Sequence, residues 1–161
     1  EMVLRSTAEN DRFSVDAGEV GAAVPSYTVD TLERLRAELG GDKSLVLLVG
    51  ADAFGGLTTW HCWRDIFTLA HVAVSHRPGF PIEVASLPHE LATEFSDRRL
   101  PDPGGLRAAP GGGIVTFAMT QLAISATHIR KLLATGHSAR YLLPDSVLDY
   151  ISLHQLYRDR L

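Results

Sequence analysis

At 161 residues, with 45% hydrophobic and 21% charged side chains, the chain has the size and composition of one globular domain with a real core, which excludes a disordered or fibrous class. Its net charge of −4 and pI near 5.9 argue against a polyanion held by bulk electrostatics, so no nucleic-acid partner is expected, whereas a small nucleotide gripped by a local basic site such as Arg130-Lys131 stays open. A single cysteine, Cys62, excludes an internal disulfide framework and suits a reducing cytoplasm; no apolar run is long enough to cross a bilayer, so no membrane role is expected.

In chain order, Met2, Val3, Leu4 and Ala8 read as the middle of a helix, which suggests further residues upstream. Phe13-Ser14-Val15-Asp16 alternates as a half-buried strand would, and Gly18 to Gly21 breaks it. A helix is expected from Thr28, capped by Thr28 or Ser26, with Val29, Leu32, Leu35 and Leu39 on one face and Gly40-Gly41 at its end. Ser44 to Val49 has the near-continuous apolar pattern of a parallel strand covered on both faces. Gly50-Ala51-Asp52 then lies at that strand's carboxyl end, where open α/β sheets bind ligands. Asp52 can accept from ribose hydroxyls or, equally, cap the turn at Ala53-Phe54.

Trp60 and Trp63 stand three apart before a short helix over Arg64 to Leu69; the spacing suits core packing, which is assigned to Trp63. His61-Cys62 lacks a second ligand pair at zinc-like spacing, so no metal site is expected there. His71 to His76 is the next buried strand, and Arg77-Pro78-Gly79 turns out of it. Val84, Leu87, Leu91 and Phe95 suit a helix over Glu83 to Phe95, interrupted by Pro88, and Ser96 to Gly113 reads as an exposed Pro- and Gly-rich loop. Residues 83–113 are therefore expected to form a flexible insertion in a single domain over 1–161.

A further strand, Ile114 to Ala118, leads into Ile124-Ser125-Ala126-Thr127-His128-Ile129-Arg130, the stretch with the most chemical content. Ser125 is a good N-cap, Ala126, Ile129, Leu132 and Leu133 recur at helical spacing, and Gly136 stops the run. A helix start leaves amides unpaired and favours negative charge, the Ser125 and Thr127 hydroxyls would complete an anion cradle, and the Arg130 guanidinium can grip two phosphate oxygens. An ordinary capped amphipathic helix with a solvated arginine fits the same residues. Pro144, with Asp145 and Ser146, opens a last helix whose apolar face is Val147, Leu148, Ile151 and Leu156.

The run Ile-Ser-Ala-Thr-x-Ile-Arg at 124–130 resembles the C-terminal signature of the adenylyl- and cytidylyltransferase superfamily, where it binds a nucleoside triphosphate. Pro25-Ser26-Tyr27-Thr28, Gly50-Ala51-Asp52, Thr59-Trp60 with Trp63, His76-Arg77-Pro78-Gly79, Leu143-Pro144 to Tyr150-Ile151, and Gln155 to Arg158 follow the same order as in bacterial nicotinate-nucleotide adenylyltransferases. The resemblance implies a Rossmann-like, doubly wound parallel α/β sheet and transfer of AMP from ATP, with Mg²⁺, to nicotinate mononucleotide in NAD biosynthesis. It implies ATP binding by Ser125, Thr127, Arg130, Gly50 and Asp52, with Arg130 and Ser125 catalytic, and acceptor binding by Tyr27, Thr28, Trp60, His61 and Arg77. Such enzymes also open with a Gly-Gly-Thr-Phe-Asp-Pro-x-His-x-Gly-His segment, and none of the seven histidines here forms a His-x-Gly-His pair. The expectation is an N-terminally incomplete domain, its first strand absent. Two other readings stay open, an inactive nucleotide-binding fragment and a pantetheine-phosphate or cytidylyl-type transferase; a homo-oligomer is compatible with all of them.

Overall fold

The computed structural model describes residues 1–22, 25–120 and 122–157; Arg158, part of the resemblance above, lies outside them. The chain divides into two compact units, one formed by Gly18–Gln121 and the other by Glu1–Ala17 with Leu122–Leu161.

The first unit carries the sheet. Strands β1 (Val46–Gly50), β2 (His71–His76) and β3 (Ile114–Ala118) pair in parallel in the order β1-β2-β3. Parallel neighbours need crossovers. Here β1 reaches β2 through α3 (Ala51–Gly55), a 3-10 turn at Leu57–Thr59 and α4 (Ile66–Leu69). The passage from β2 to β3 contains α5 (His89–Arg98) between 3-10 turns at Val84–Ser86 and Pro103–Arg107. Helix α2 (Thr28–Leu39) precedes β1 and packs against α4. The register sets Gly50 beside Ser75 and His76 beside Ala118, so all three carboxyl ends share one edge.

Central strand β2 is buried from His71 to Val74, and Phe54, Phe67, Leu91 and Phe95 pack around it. Each such side chain contributes about 1.5–3 kcal/mol when fully buried. Strand β1 corrects an expectation: it is not covered on both faces. Val49 is buried, but Leu48 is 64% exposed, because only one face of β1 is packed on the core among the described residues. The strand expected at Phe13–Asp16 is also absent. Phe13 is exposed and pairs with no strand, and four alternating residues without a neighbouring ladder cannot hold an extended conformation.

Helix α2 buries Val29 and Leu32 of the expected face, leaves Leu35 partly covered and Leu39 exposed near its end, and stops at Gly40, whose φ of 90° suits glycine. Its N-cap is Tyr27 rather than Thr28 or Ser26, and the Asp30 carboxylate accepts from the Tyr27 N–H at 3.3 Å. The helix expected from Glu83 starts only after Pro88, which serves as its N-cap; before it the chain makes one 3-10 turn. Leu91 and Phe95 of α5 are fully buried, so this part of 83–113 belongs to the core cluster.

Two side chains hold the crossover loops by satisfying backbone groups. Buried His71 accepts from the Gly113 N–H at Nδ1 (2.8 Å); its Nε2–H therefore donates to the Ala109 carbonyl, also at 2.8 Å. The Arg36 guanidinium donates to the carbonyls of Gly40, Lys43, Leu69 and Pro110, joining α2 to the loop before β1, the end of α4 before β2 and the loop before β3.

In the second unit α1 (Met2–Thr7), α6 (Ala126–Ala134) and α7 (Asp145–Leu153) are the helices. Helix α1 packs on α7, where the Ser146 hydroxyl donates to the Arg5 carbonyl at 3.2 Å and the Arg5 guanidinium lies 5.0 Å from the Tyr150 ring centre.

Close approach of the 109–113 loop to the end of α4 makes Gly111 irreplaceable. A Cβ there would sit 2.9 Å from the Ala70 nitrogen and 3.0 Å from its carbonyl carbon, backbone atoms that cannot swing away. Gly111→Ala is expected to lower stability by about 1–3 kcal/mol, read from the urea midpoint. Gly41→Ala, which meets nothing within 4 Å, serves as the control and should change little.

Candidate active site

The sheet unit contributes two groups of the expected residues. At the shared carboxyl edge, β1 ends in Gly50, which caps α3 with extended dihedrals (φ −79°, ψ 159°). Asp52 lies in the first turn of α3, so it is not the cap; its carboxylate is exposed and makes no hydrogen bond or ion pair among the described residues. One strand over, β2 ends in His76, whose Nδ1 lies 2.9 Å from the Arg77 carbonyl oxygen, and the exposed Arg77 begins the turn that continues through Gly79 at φ 83°. Asp52 and Arg77 thus emerge from neighbouring strand ends.

The second group surrounds the loop after the Leu57–Thr59 turn. Trp60 is half-buried and packs against the core cluster, while Trp63 is 7% exposed and meets the Phe67 ring edge-on, the packing role its spacing suggested. Between them Cys62 has φ 47°, a left-handed conformation that costs a non-glycine residue about 1–3 kcal/mol. The His61 ring lies 4.3 Å from that of Tyr27, the N-cap of α2. The Tyr27–His61 contact therefore joins the start of α2, where Thr28 follows, to the loop in which Trp60 precedes His61, with aromatic rings beside the free amides of a helix start.

The helical unit carries the third group. Ser125 is the N-cap of α6, and its hydroxyl oxygen accepts from the His128 N–H at 3.1 Å. The amides of Ala126 and Thr127 are left without an intrahelical partner, as at any helix start. Thr127 and Arg130, three apart, share one face; both are exposed and neither bonds to another described side chain. Arg130 borders a cavity of about 270 Å³ lined by Met2, Ile129, Leu143, Val147 and Ile151 among others. Buried Ile129 anchors the helix from its opposite side. The arrangement can receive a polyanion through two amides, two hydroxyls and a guanidinium, without a countercharge to displace.

Among the described residues no group of three or more His, Cys, Asp or Glu stands close enough to hold a metal ion. Also among them, no helix is long and apolar enough to cross a membrane.

Comparison with known proteins gives this geometry its family. No protein-family model matches the chain. A protein of Dechloromonas aromatica strain RCB described as a probable nicotinate-nucleotide adenylyltransferase is 74% identical over 159 residues, 99% of this chain and 73% of that protein. The chain belongs to the nicotinate-nucleotide adenylyltransferase family. A family member from Pseudomonas paraeruginosa strain DSM 24068 / PA7, with the same description, is 46% identical over 98% of this chain and 72% of its own length. Two structures of Plasmodium falciparum nicotinic acid mononucleotide adenylyltransferase, one complexed with APC and one with NaAD, superpose with a TM-score of 0.54 at 16% identity and show the shared nucleotidyltransferase fold. Each aligns with 84% of this chain, which spans 60% and 58% of the two Plasmodium chains.

What the sequence reading of this family member missed lies on α5. Glu90, Glu94 and Arg98, at i, i+4 and i+8, form one polar row that meets Arg64 of the Trp60–Arg64 loop. The Glu-x-x-x-Glu-x-x-x-Arg spacing was the available signal; its partner 26 residues away was not.

The conformation of Cys62 sets a measurable sign. Relief of a left-handed non-glycine residue outweighs the extra unfolded-state entropy of glycine, about 0.5–1 kcal/mol. Cys62→Gly should therefore raise the free energy of unfolding by roughly 0.5 kcal/mol or more, seen as a higher denaturation midpoint at unchanged m.

Proposed function

We propose that this protein transfers AMP from ATP to nicotinate mononucleotide, releasing pyrophosphate and forming deamido-NAD, as a step of NAD biosynthesis in the cytoplasm. The observation that carries the reading is the Ser125-capped start of α6, with Thr127 and Arg130 unengaged beside it, in a chain 74% identical to a described member of that family. We assign residues 1–161 to one nucleotidyltransferase-like domain, in which 83–113 carries the crossover from β2 to β3 and packs into the core through α5.

In this reading a 5′-phosphate oxygen of the mononucleotide attacks the α-phosphorus of ATP in line. The bond to the bridging oxygen of the β-phosphate breaks, and pyrophosphate departs with the electron pair. The attacking oxygen is already anionic, so the reaction needs no general base and no covalent enzyme intermediate. The protein contributes alignment and compensation of charge. Arg130, the Ser125 and Thr127 hydroxyls and the amides of α6 hold the triphosphate. Asp52, at the end of β1 after Gly50, accepts from the ribose hydroxyls.

For the acceptor, the Trp60 indole offers a face to the electron-poor pyridinium ring, an attraction of about 0.5–2 kcal/mol. Tyr27, Thr28 and His61 surround the ring's carboxylate with amides and aromatic edges, and Arg77 borders the mononucleotide phosphate. Mg²⁺ would supply further neutralisation of the triphosphate. The described residues offer it no cage, which suits an ion carried by the nucleotide's own oxygens, as magnesium commonly is.

Pyrophosphate release by the natural full-length polypeptide tests the assignment. Release is expected with ATP and nicotinate mononucleotide and not with phosphopantetheine as acceptor; the opposite preference would sink it. The nicotinamide analogue, run alongside, reports the acid or amide preference. Arg130→Ala should lower kcat/KM by about a hundredfold or more, roughly 3 kcal/mol of transition-state stabilisation. Activity within a few-fold of the parent would remove Arg130 from the phosphate site.

A further inference from the structure

The loop that carries Trp60 and His61 is tied down at both ends. On one side the His61 ring stacks on Tyr27. On the other, Arg64 lies over the Trp63 ring, its guanidinium carbon 4.4 Å from the centroid, and reaches α5. Its Nη2 donates to Glu90 at 2.7 Å, and its Nε is 3.9 Å from Glu94. The other Glu94 oxygen accepts from Arg98 Nε at 2.6 Å. Arg98 in turn lies 5.0 Å from the centre of the Phe67 ring, which Trp63 meets edge-on at 6.2 Å. Trp63, Arg64, Glu94, Arg98 and Phe67 thus close a circuit of alternating charge and aromatic contact between α5 and the loop.

Within that circuit the exposure differs in a telling way. Arg64 and Glu90 are more than half exposed, so their pairing adds little to folding stability. Yet the residue between the two fixed ends, Cys62, is held in a left-handed conformation, and such a conformation persists only when its surroundings over-determine it. The Asp65 N–H bonded to the Cys62 carbonyl at 2.9 Å closes the turn on one side only. Trp63 is seated in the core; the contact with α5 fixes the Arg64 side of the turn, next to the segment from which Trp60 and His61 project.

We infer that Glu90 and Glu94, acting through Arg64, are positioning residues for the Trp60–His61 surface, so that the 83–113 segment tunes affinity for the acceptor mononucleotide. The inference rests on the assignment of Trp60 and His61 to the acceptor. It predicts a selective effect. Loosening the loop costs the acceptor its preorganised platform and leaves the triphosphate groups on Ser125, Thr127 and Arg130 untouched.

The test is a double-mutant cycle on the full-length enzyme, with Arg64→Met on one side and Glu90→Gln with Glu94→Gln on the other. Each arm is expected to raise KM for the nicotinate mononucleotide about threefold to tenfold, with kcat and KM for ATP within about twofold of the parent. The combined variant should be no worse than the weaker arm, because both act on one contact. Melting temperatures within a few degrees would show that folding is intact. An unchanged acceptor KM in the glutamine variant, additive losses, or an equal rise in KM for ATP would overturn the inference. Trp60→Ala separates the two levels: no effect on acceptor KM removes the platform itself, whereas a large effect beside an unaffected glutamine variant removes only the role of α5.

Discussion

Parallel pairing in register is the constraint on which the rest depends. It requires each strand to return by a crossover, and it places Gly50, His76 and Ala118 on one edge of the sheet. The residues with chemistry in the sheet unit follow from that edge: Asp52 two positions after one strand, Arg77 one position after the next. A slip of a single residue would turn every β2 side chain to the opposite face, and the burial of Val72 and Val74 on one face with His71 and Ala73 on the other prevents it.

Crossovers carry polar backbone through the packed face, and the protein satisfies it with long or two-sided side chains. Arg36 supplies donors to the carbonyls of Gly40, Lys43, Pro110 and, at the end of α4, Leu69, and His71 supplies one acceptor and one donor to the loop before β3. At the buried Gly113–His71 contact water cannot take the partner's place, and leaving such a bond unmade costs more than the bond gains. These residues have no place in the chemistry, but they set where the strand ends stand.

The groups assigned to phosphate and to acceptor are made in different ways. At α6 the geometry is local: a serine cap, two amides, a threonine and an arginine within six residues. The surface proposed for the acceptor is assembled from α2, the Trp60–Arg64 loop and, through ion pairs, α5. A local cradle is robust to change elsewhere, whereas an assembled one is exposed to every element that supports it.

That contrast marks what could be read from the chain alone. Three parallel strands, the start of the buried face and the end of α2, the Ser125 cap and the Pro144 start of α7 were legible because each depends on periodicity, a capping residue or a helix breaker within a few positions. The motif order likewise pointed to the family in which the chain belongs. The solvent-facing side of β1, the missing strand at Phe13, the left-handed Cys62, the Tyr27–His61 stack and the Arg64 link to α5 were not legible. Each is decided by which segment lies alongside, a contact between residues distant in sequence, and local pattern carries no record of its neighbour.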